Sequence, residues 1–311
     1  MNQTSHKPTW IKARIPGSPN YKKLKSLMRS LNLHTVCEEA MCPNVGECWG
    51  AGTLTIMILG DTCTRSCGFC DIKTGKGQDL DWEEPQRVAE AVNKLTENSA
   101  GIKHIVITSV NRDDKNYESA CLFAETIVKV RKHNPGIRIE VLVPDFRGDL
   151  EALKKVLESE PDVMNHNLET VPRLYYLPQT TPTGKYRAVR PQARYEWSLR
   201  ILEESKHRGH KGILTKSGIM LGLGEEIEEV IETLTDLKKA GCDIVTIGQY
   251  LQPTKDHIPV SRYYHPLEFE SLKNYGEKMI GIPHIESGPL VRSSYHAEKQ
   301  AHKINGLPRE Y

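Results

Sequence analysis

Two rhythms of apolar and polar positions alternate along the chain after residue 53. Short runs rich in β-branched residues, at 53–59, 104–110, 138–143, 162–168, 217–223 and 243–250, are too brief for helices and read as buried strands. Between them apolar residues recur at helical spacing. Examples are Val88, Val92 and Leu95; Leu122, Ile127 and Val130; Leu150, Leu153, Val156 and Leu157; and Val230, Leu234 and Leu237. Pro85 suits the first residue of one such helix and Gly241 the end of another. Six strand–helix units in series predict an α/β fold, a parallel sheet with its helices outside. Eight would close a full barrel; six predict a partial TIM-type (β/α)6 barrel, open on one side, with its chemistry where the strands end.

The rhythm also divides the chain. Residues 1–50 are polar and helix-prone and read as an N-terminal extension. Residues 51–252 form the core, and residues 253–311 a C-terminal extension with Pro- and Tyr-rich loops, a helical stretch near 267–278 and a short run at 284–290. Both extensions are expected to close the open parts of the barrel.

Composition narrows the function by exclusion. With 42 basic and 40 acidic residues the net charge is +2, which does not suggest nucleic acid or an anionic membrane as the main partner. No apolar run approaches the length that crosses a bilayer, and the first ten residues show neither an export signal nor an Arg-rich transit pattern, so a cytoplasmic location is expected.

The cysteines change the picture more. Of eight, six fall between Cys37 and Cys70, while Cys121 and Cys242 stand alone and read as buried free thiols. Clustering in a long chain without an export signal points to metal rather than to disulfides. The six form two triplets, Cys37, Cys42 and Cys48 at C-x4-C-x5-C spacing, and Cys63, Cys67 and Cys70 at C-x3-C-x2-C spacing. A structural zinc site is closed by four ligands and an ordinary four-iron cluster by four thiolates. Three thiolates leave one metal position open, which is the logic of a catalytic site. The second triplet follows the first predicted strand directly, at the expected mouth of the barrel, with Gly60 and Gly68 letting the backbone wrap closely.

The Cys63-x-x-x-Cys67-x-Phe69-Cys70 pattern resembles the signature of the radical S-adenosylmethionine superfamily. The segments CEEAMCPN (37–44), GECW (46–49) and GDTCTRSCGFC (60–70) together resemble the lipoyl synthase family in particular, as do TSVNRDD (108–114), PDFRG (144–148), HNLETVP (166–172), KSGIMLGLGE (216–225), TIGQYLQPT (246–254) and GPLVRSSYHA (288–297). The resemblance covers roughly residues 10–298. One stretch departs from it: residues 174–186 are longer than the family pattern and read as an inserted surface loop.

The resemblance implies two [4Fe–4S] clusters and S-adenosylmethionine. Cys63, Cys67 and Cys70 would hold the cluster whose open iron binds S-adenosylmethionine. Cys37, Cys42 and Cys48 would hold an auxiliary cluster, completed by a serine oxygen of Arg292-Ser293-Ser294; Ser294 takes that role, with Ser293 the second candidate. A hard alkoxide beside soft thiolates should be easier to break than a fourth thiolate bond, which suits a cluster meant to be dismantled. The implied reaction is insertion of two sulfur atoms at C6 and C8 of a protein-bound octanoyl-lysine by a 5′-deoxyadenosyl radical, the auxiliary cluster being the sulfur source. Implied partners are an octanoylated lipoyl carrier domain (glycine cleavage H protein or 2-oxoacid dehydrogenase E2) and a ferredoxin or flavodoxin reductant. Phe69, Asn111, Arg112, Asp113, Glu169, Thr170, Gly222, Gly224 and Glu225 sit in the loops where cofactor contact is expected.

Overall fold

A computed structural model describes residues 7–50, 53–98 and 102–305. The first helix, α1 (Pro19–Ser30), starts where Ser18 accepts a hydrogen bond from the Tyr21 N–H and Pro19 supplies a pre-set backbone angle; it buries Leu24 and Met28. After it come β1 (His34–Thr35), α2 (Val36–Glu39) and α3 (Val45–Gly50). The core then runs β2 (Thr55–Ile58), α4 (Glu84–Asn98), β3 (His104–Ser109), α5 (Asn116–His133), β4 (Arg138–Leu142), α6 (Leu150–Leu157) and β5 (Val163–Asn165). A small hairpin, β6 (Gln179–Thr180) and β7 (Tyr186–Arg187), precedes α7 (Tyr195–Arg208), β8 (Leu214–Leu221), α8 (Ile227–Lys239) and β9 (Ile244–Gln249). The described chain closes with α9 (Pro266–Tyr275), β10 (His284–Gly288) and α10 (Ala297–Asn305).

The main sheet has the order β1-β2-β3-β4-β5-β8-β9-β10. All neighbours pair in parallel except β1, which runs antiparallel on β2. The six expected strands are therefore joined by a seventh parallel strand, β10, with His284 beside Ile244 and Gly288 beside Gly248. No pairing joins β10 back to β1 or β2 among the described residues, so the barrel is partial, as its repeat number predicts. The hairpin β6–β7 occupies the inserted stretch.

Alternation along the strands separates two environments. Ile56, Ile58, Ile105, Ile107, Ile139 and Val141 pack with helix residues such as Val88, Val92, Leu122 and Ile127 on the convex side. Their neighbours face the concave side, where Glu140 meets Lys216 Nζ at 2.9 Å and His104 Nε2 at 3.2 Å, all three buried. Lys216 and His104 hold the Glu140 carboxyl down to about 2 against the opposing effect of burial. At the amino ends of the strands, Val163, Leu214 and Ile244 pack on Ala301 of α10. The C-terminal helix thus plugs the end away from the predicted chemistry.

Candidate metal and cofactor site

The loop leaving β2 is fastened from several sides. The Cys63 N–H donates to Lys73 O at 2.8 Å, and the Gly75 N–H donates back to Cys63 O at 2.9 Å. Cys63 Sγ accepts from the backbone N–H groups of Arg65 and Asn111, each at 3.4 Å. At the far end of the triplet, the Gly68 N–H donates to Ala188 O and Val189 O, and the Ile258 N–H donates to Gly68 O. A Cβ on Gly68 would stand 2.6 Å from both Ala188 O and Ile258 Cδ1, so only glycine fits this crossing. His257 Nε2 lies 3.0 Å from Cys70 O. A carbonyl can only accept, so that nitrogen carries the proton.

Between the cysteines, Arg65 runs inward. Its guanidinium donates to Asp113 at 2.8–3.1 Å and to Asp145 at 2.5 and 2.8 Å. Burial would raise the Asp145 carboxyl, but Arg65 overrides it and holds it near 2. Beside this pair, Arg190 Nη1 donates to Asn167 O at 2.9 Å and to Ser198 Oγ at 3.1 Å. His166 spans Val143 O (2.8 Å) and Ser198 Oγ (2.9 Å), and burial followed by the Arg190 charge lowers its pKa to about 4. Neither Arg65, Asp145, Arg190 nor His166 was singled out from sequence. Asp145 and His166 do lie in segments that carry the family resemblance, and Arg65 sits inside the signature itself.

The predicted cofactor residues line up at the carboxyl ends of the strands. Asn111 follows β3 and leaves its buried Oδ1 without a hydrogen-bond partner; Arg112 pairs with Asp114 through Nε and Nη2 but leaves Nη1 buried and unpartnered. Asp113 is taken up by Arg65. Glu169 follows β5 with φ 68°, a conformation rare for a residue with a side chain. It is held there by its N–H donating to Gly218 O and its carbonyl accepting from the Met220 N–H. Thr170 is buried beside it, its Oγ1 also without a partner. After β8, Gly222 and Gly224 have φ of 101° and 107°, and both Glu225 carboxylate oxygens accept backbone N–H groups of their own turn, from Gly222 and Leu223. Phe69 packs against the second core cluster, partly buried.

The other triplet is assembled differently. Cys37 is the second residue of α2, the Cys42 N–H donates to Cys37 O at 3.1 Å, and Cys48 lies in α3. The C-terminal segment completes its surroundings. Asn44 Nδ2 donates to Leu290 O at 2.7 Å, and Tyr295 Oη donates to Glu47 Oε1 at 3.0 Å. Ser293 and Ser294 lie on the turn between Arg292 and Tyr295, just beyond β10. A Cβ on Gly248 would meet Val291 O at 2.2 Å and Arg292 Nη1 at 3.2 Å, so this strand position must be bare for the segment to pass.

Do these residues fit iron–sulfur clusters? Burial pushes the Cys37 and Cys67 thiols up to about 11 and Cys48 to about 12, and raises Cys70 as well. The next cause for Cys37, Cys48 and Cys70 is a neighbouring cysteine of the same triplet, and Cys63 contributes for Cys67. Each set therefore converges on its own small region, and bound cations would reverse the penalty. Among the described residues no three His, Cys, Asp or Glu side chains meet closely enough around one point for a single ion. A cuboidal cluster presents a separate iron to each thiolate, so the sulfurs surround a body rather than a point. Glu169 opposes ionisation of Cys67 and Cys70 and supports the charge on Arg292, which also feels Cys42.

Comparison with known proteins bears on what this arrangement is. Residues 57–237 match the model of the radical SAM superfamily, and residues 1–42 match that of the N-terminal domain of lipoyl synthase. The lipoyl synthase of Rubrobacter xylanophilus is 54% identical over 94% of this chain and 86% of its own. The mitochondrial lipoyl synthase of Nematostella vectensis is 49% identical over 95% of both. The chain belongs to the lipoyl synthase family. As such it is a radical SAM enzyme, and the superfamily implies S-adenosylmethionine and a [4Fe–4S] cluster. Among solved structures, the hydrogenase maturase HydG of Carboxydothermus hydrogenoformans superimposes with a TM-score of 0.54 at 16% identity, over 81% of this chain and 56% of its own. SuiB of Streptococcus suis bound to its precursor peptide gives 0.52 at 11%, over 83% and 49%. These two likenesses carry the fold. No described helix of this lipoyl synthase family member is long and apolar enough to cross a membrane.

Proposed function

We propose that this protein converts octanoyl-lysine on a lipoyl carrier domain into the lipoyl group, using two [4Fe–4S] clusters with separate tasks. Cys63, Cys67 and Cys70 hold the first. Cys37, Cys42 and Cys48 hold the second, with Ser294 as its oxygen ligand. When bound, S-adenosylmethionine at the first cluster, given one electron per cleavage by the reductant, would supply the oxidant for hydrogen removal at C6 and C8, and the second cluster would supply the two sulfur atoms.

The chain's own residues position and shield. Arg65, gripping Asp113 and Asp145, fixes the signature loop to the loops after β3 and β4. Asn111, Arg112 and Thr170 offer buried polar atoms with no protein partner, which suits contact with a polar cofactor. Glu169, raised by burial, has the Arg190 and Arg292 charges to offset that rise. Gly222 and Gly224 keep the turn after β8 bare, and Phe69 and Glu225 hold its surroundings. The carrier domain is of the glycine cleavage H protein or 2-oxoacid dehydrogenase E2 type, the reductant a ferredoxin or flavodoxin, and the location the cytoplasm.

The observation that most supports this reading is the pair of contacts Asn44–Leu290 and Glu47–Tyr295. They set the second triplet against the segment leaving β10, on the same sheet whose β2 leads into the first. The test is anaerobic reconstitution, then dithionite, S-adenosylmethionine and an octanoyl-lysine peptide. The reading expects 5′-deoxyadenosine and a peptide mass gain of two sulfurs. Cofactor cleavage with no sulfur gained, both clusters being present, would overturn it.

A further inference from the structure

The charge of this chain is unevenly placed. The first 37 residues carry seven of the 42 basic residues and none of the 40 acidic ones, which leaves the rest of the chain at net −5. The described part of this segment takes two forms. Residues 11–15 carry no helix or strand, and Trp10 just before them packs edge-on against His265, 5.1 Å between ring centroids, at the start of α9. Further along, Arg14 O comes within 2.4 Å of where a Cβ on Gly46 would stand, so the strap lies directly on α3, the helix bearing Cys48. Lys12 and Arg14 are exposed on it.

The chain then enters α1, whose Leu24 and Met28 face the core and whose Tyr21 ring lies 5.0 Å from that of Trp49 in α3. The opposite stripe is Lys22, Lys25, Ser26 and Arg29, at i, i+3, i+4 and i+7, and these residues with Ser30 line one groove. Only Lys25 of the four has a carboxylate partner among the described residues, Glu38 at 2.9 Å. Lys22, Lys23 and Arg29 are exposed. The positive strap and stripe are thus mounted on the elements that carry the second cysteine triplet.

We propose that this face of α1, with the strap before it, is the docking surface for the carrier domain, which must present an acidic patch to it. The inference rests on the functional reading above and names where the partner sits. One observation favours a protein carrier over other polyanions. The surface is continuous with the segment of the proposed sulfur donor, where a carrier-borne acyl chain has to arrive. Complementary charge of this kind raises encounter rates and is screened by salt.

The experiment compares the holoenzyme with its Lys22→Glu/Lys23→Glu/Arg29→Glu variant on two substrates, an octanoylated carrier domain and a short octanoyl-lysine peptide. Expected is a rise of about tenfold in KM for the carrier, with kcat unchanged, and unchanged kinetics on the peptide. Added salt should raise the wild-type KM for the carrier and not for the peptide. The peptide also reports folding: a variant slowed equally on both substrates would overturn the proposal, and so would one with an unaltered carrier KM. Binding of anionic vesicles or a DNA oligomer that is lost in the variant while carrier KM stays constant would assign the surface elsewhere. Failure of the wild-type enzyme on both substrates would strike the underlying reading instead, and the docking surface with it.

Discussion

The two cysteine triplets are built on opposite principles. Cys63, Cys67 and Cys70 sit on a loop that the barrel holds through neighbours on every side: Lys73 and Asn111 near Cys63, Ala188 and Ile258 at Gly68, His257 at Cys70. A buried ion-pair network from Arg65 ties it to two adjoining strand ends. Cys37, Cys42 and Cys48 lie on two short helices, and their distant ties come from the other end of the chain, 246 residues from Asn44 and 248 from Glu47. The first triplet belongs to the barrel. The second meets its C-terminal neighbours only when the two ends of the chain come together, which suits the sacrificial role proposed for it.

The contrast can be pressed in two places. Arg65→Met should have the larger effect. It leaves Asp145, whose side chain is wholly buried, without its main counter-charge, and breaking a buried pair on one side costs about 3–5 kcal/mol. Urea unfolding should show that loss, and iron should fall at the barrel triplet first. Equal loss at both triplets would mean that they are not independently held. Tyr295→Phe should do less. It removes one hydrogen bond to a half-exposed Glu47, worth about 1 kcal/mol. Faster release of iron from the second triplet, with cofactor cleavage unchanged, is the expected signature in a chelator time course.

Legibility in the sequence follows the same divide. The six core strands stand close to where their apolar runs predict, since burial on both faces writes a run of β-branched residues directly. Their ends differ where a local device intervenes. The run 217–223 ends early, because Gly222 turns to positive φ and its N–H is taken by Glu225; the run 53–59 shortens to Thr55–Ile58, with Leu59 at φ 70°. The role of 284–290 as a seventh parallel strand was not legible, because pairing with β9 is a long-range choice that five polar and apolar residues do not advertise. The two cysteine triplets stand out by their spacing, while the task assigned to the first comes from the family resemblance. Arg65 and Asp145 were not legible, because each finds its partner across the fold: 80 positions separate them. Lys216, the one charged residue in β8, is the kind of signal that could have flagged the buried Glu140 cluster.

Cys42→Ala set beside Cys67→Ala tests the division of labour proposed for the two triplets. Wild-type protein prepared without oxygen should hold about eight irons and each variant about four. Cys42→Ala should still form 5′-deoxyadenosine while adding no sulfur to the octanoyl peptide, and Cys67→Ala should do neither. Sulfur insertion by Cys42→Ala, or zinc in place of iron in the wild type, would contradict the account.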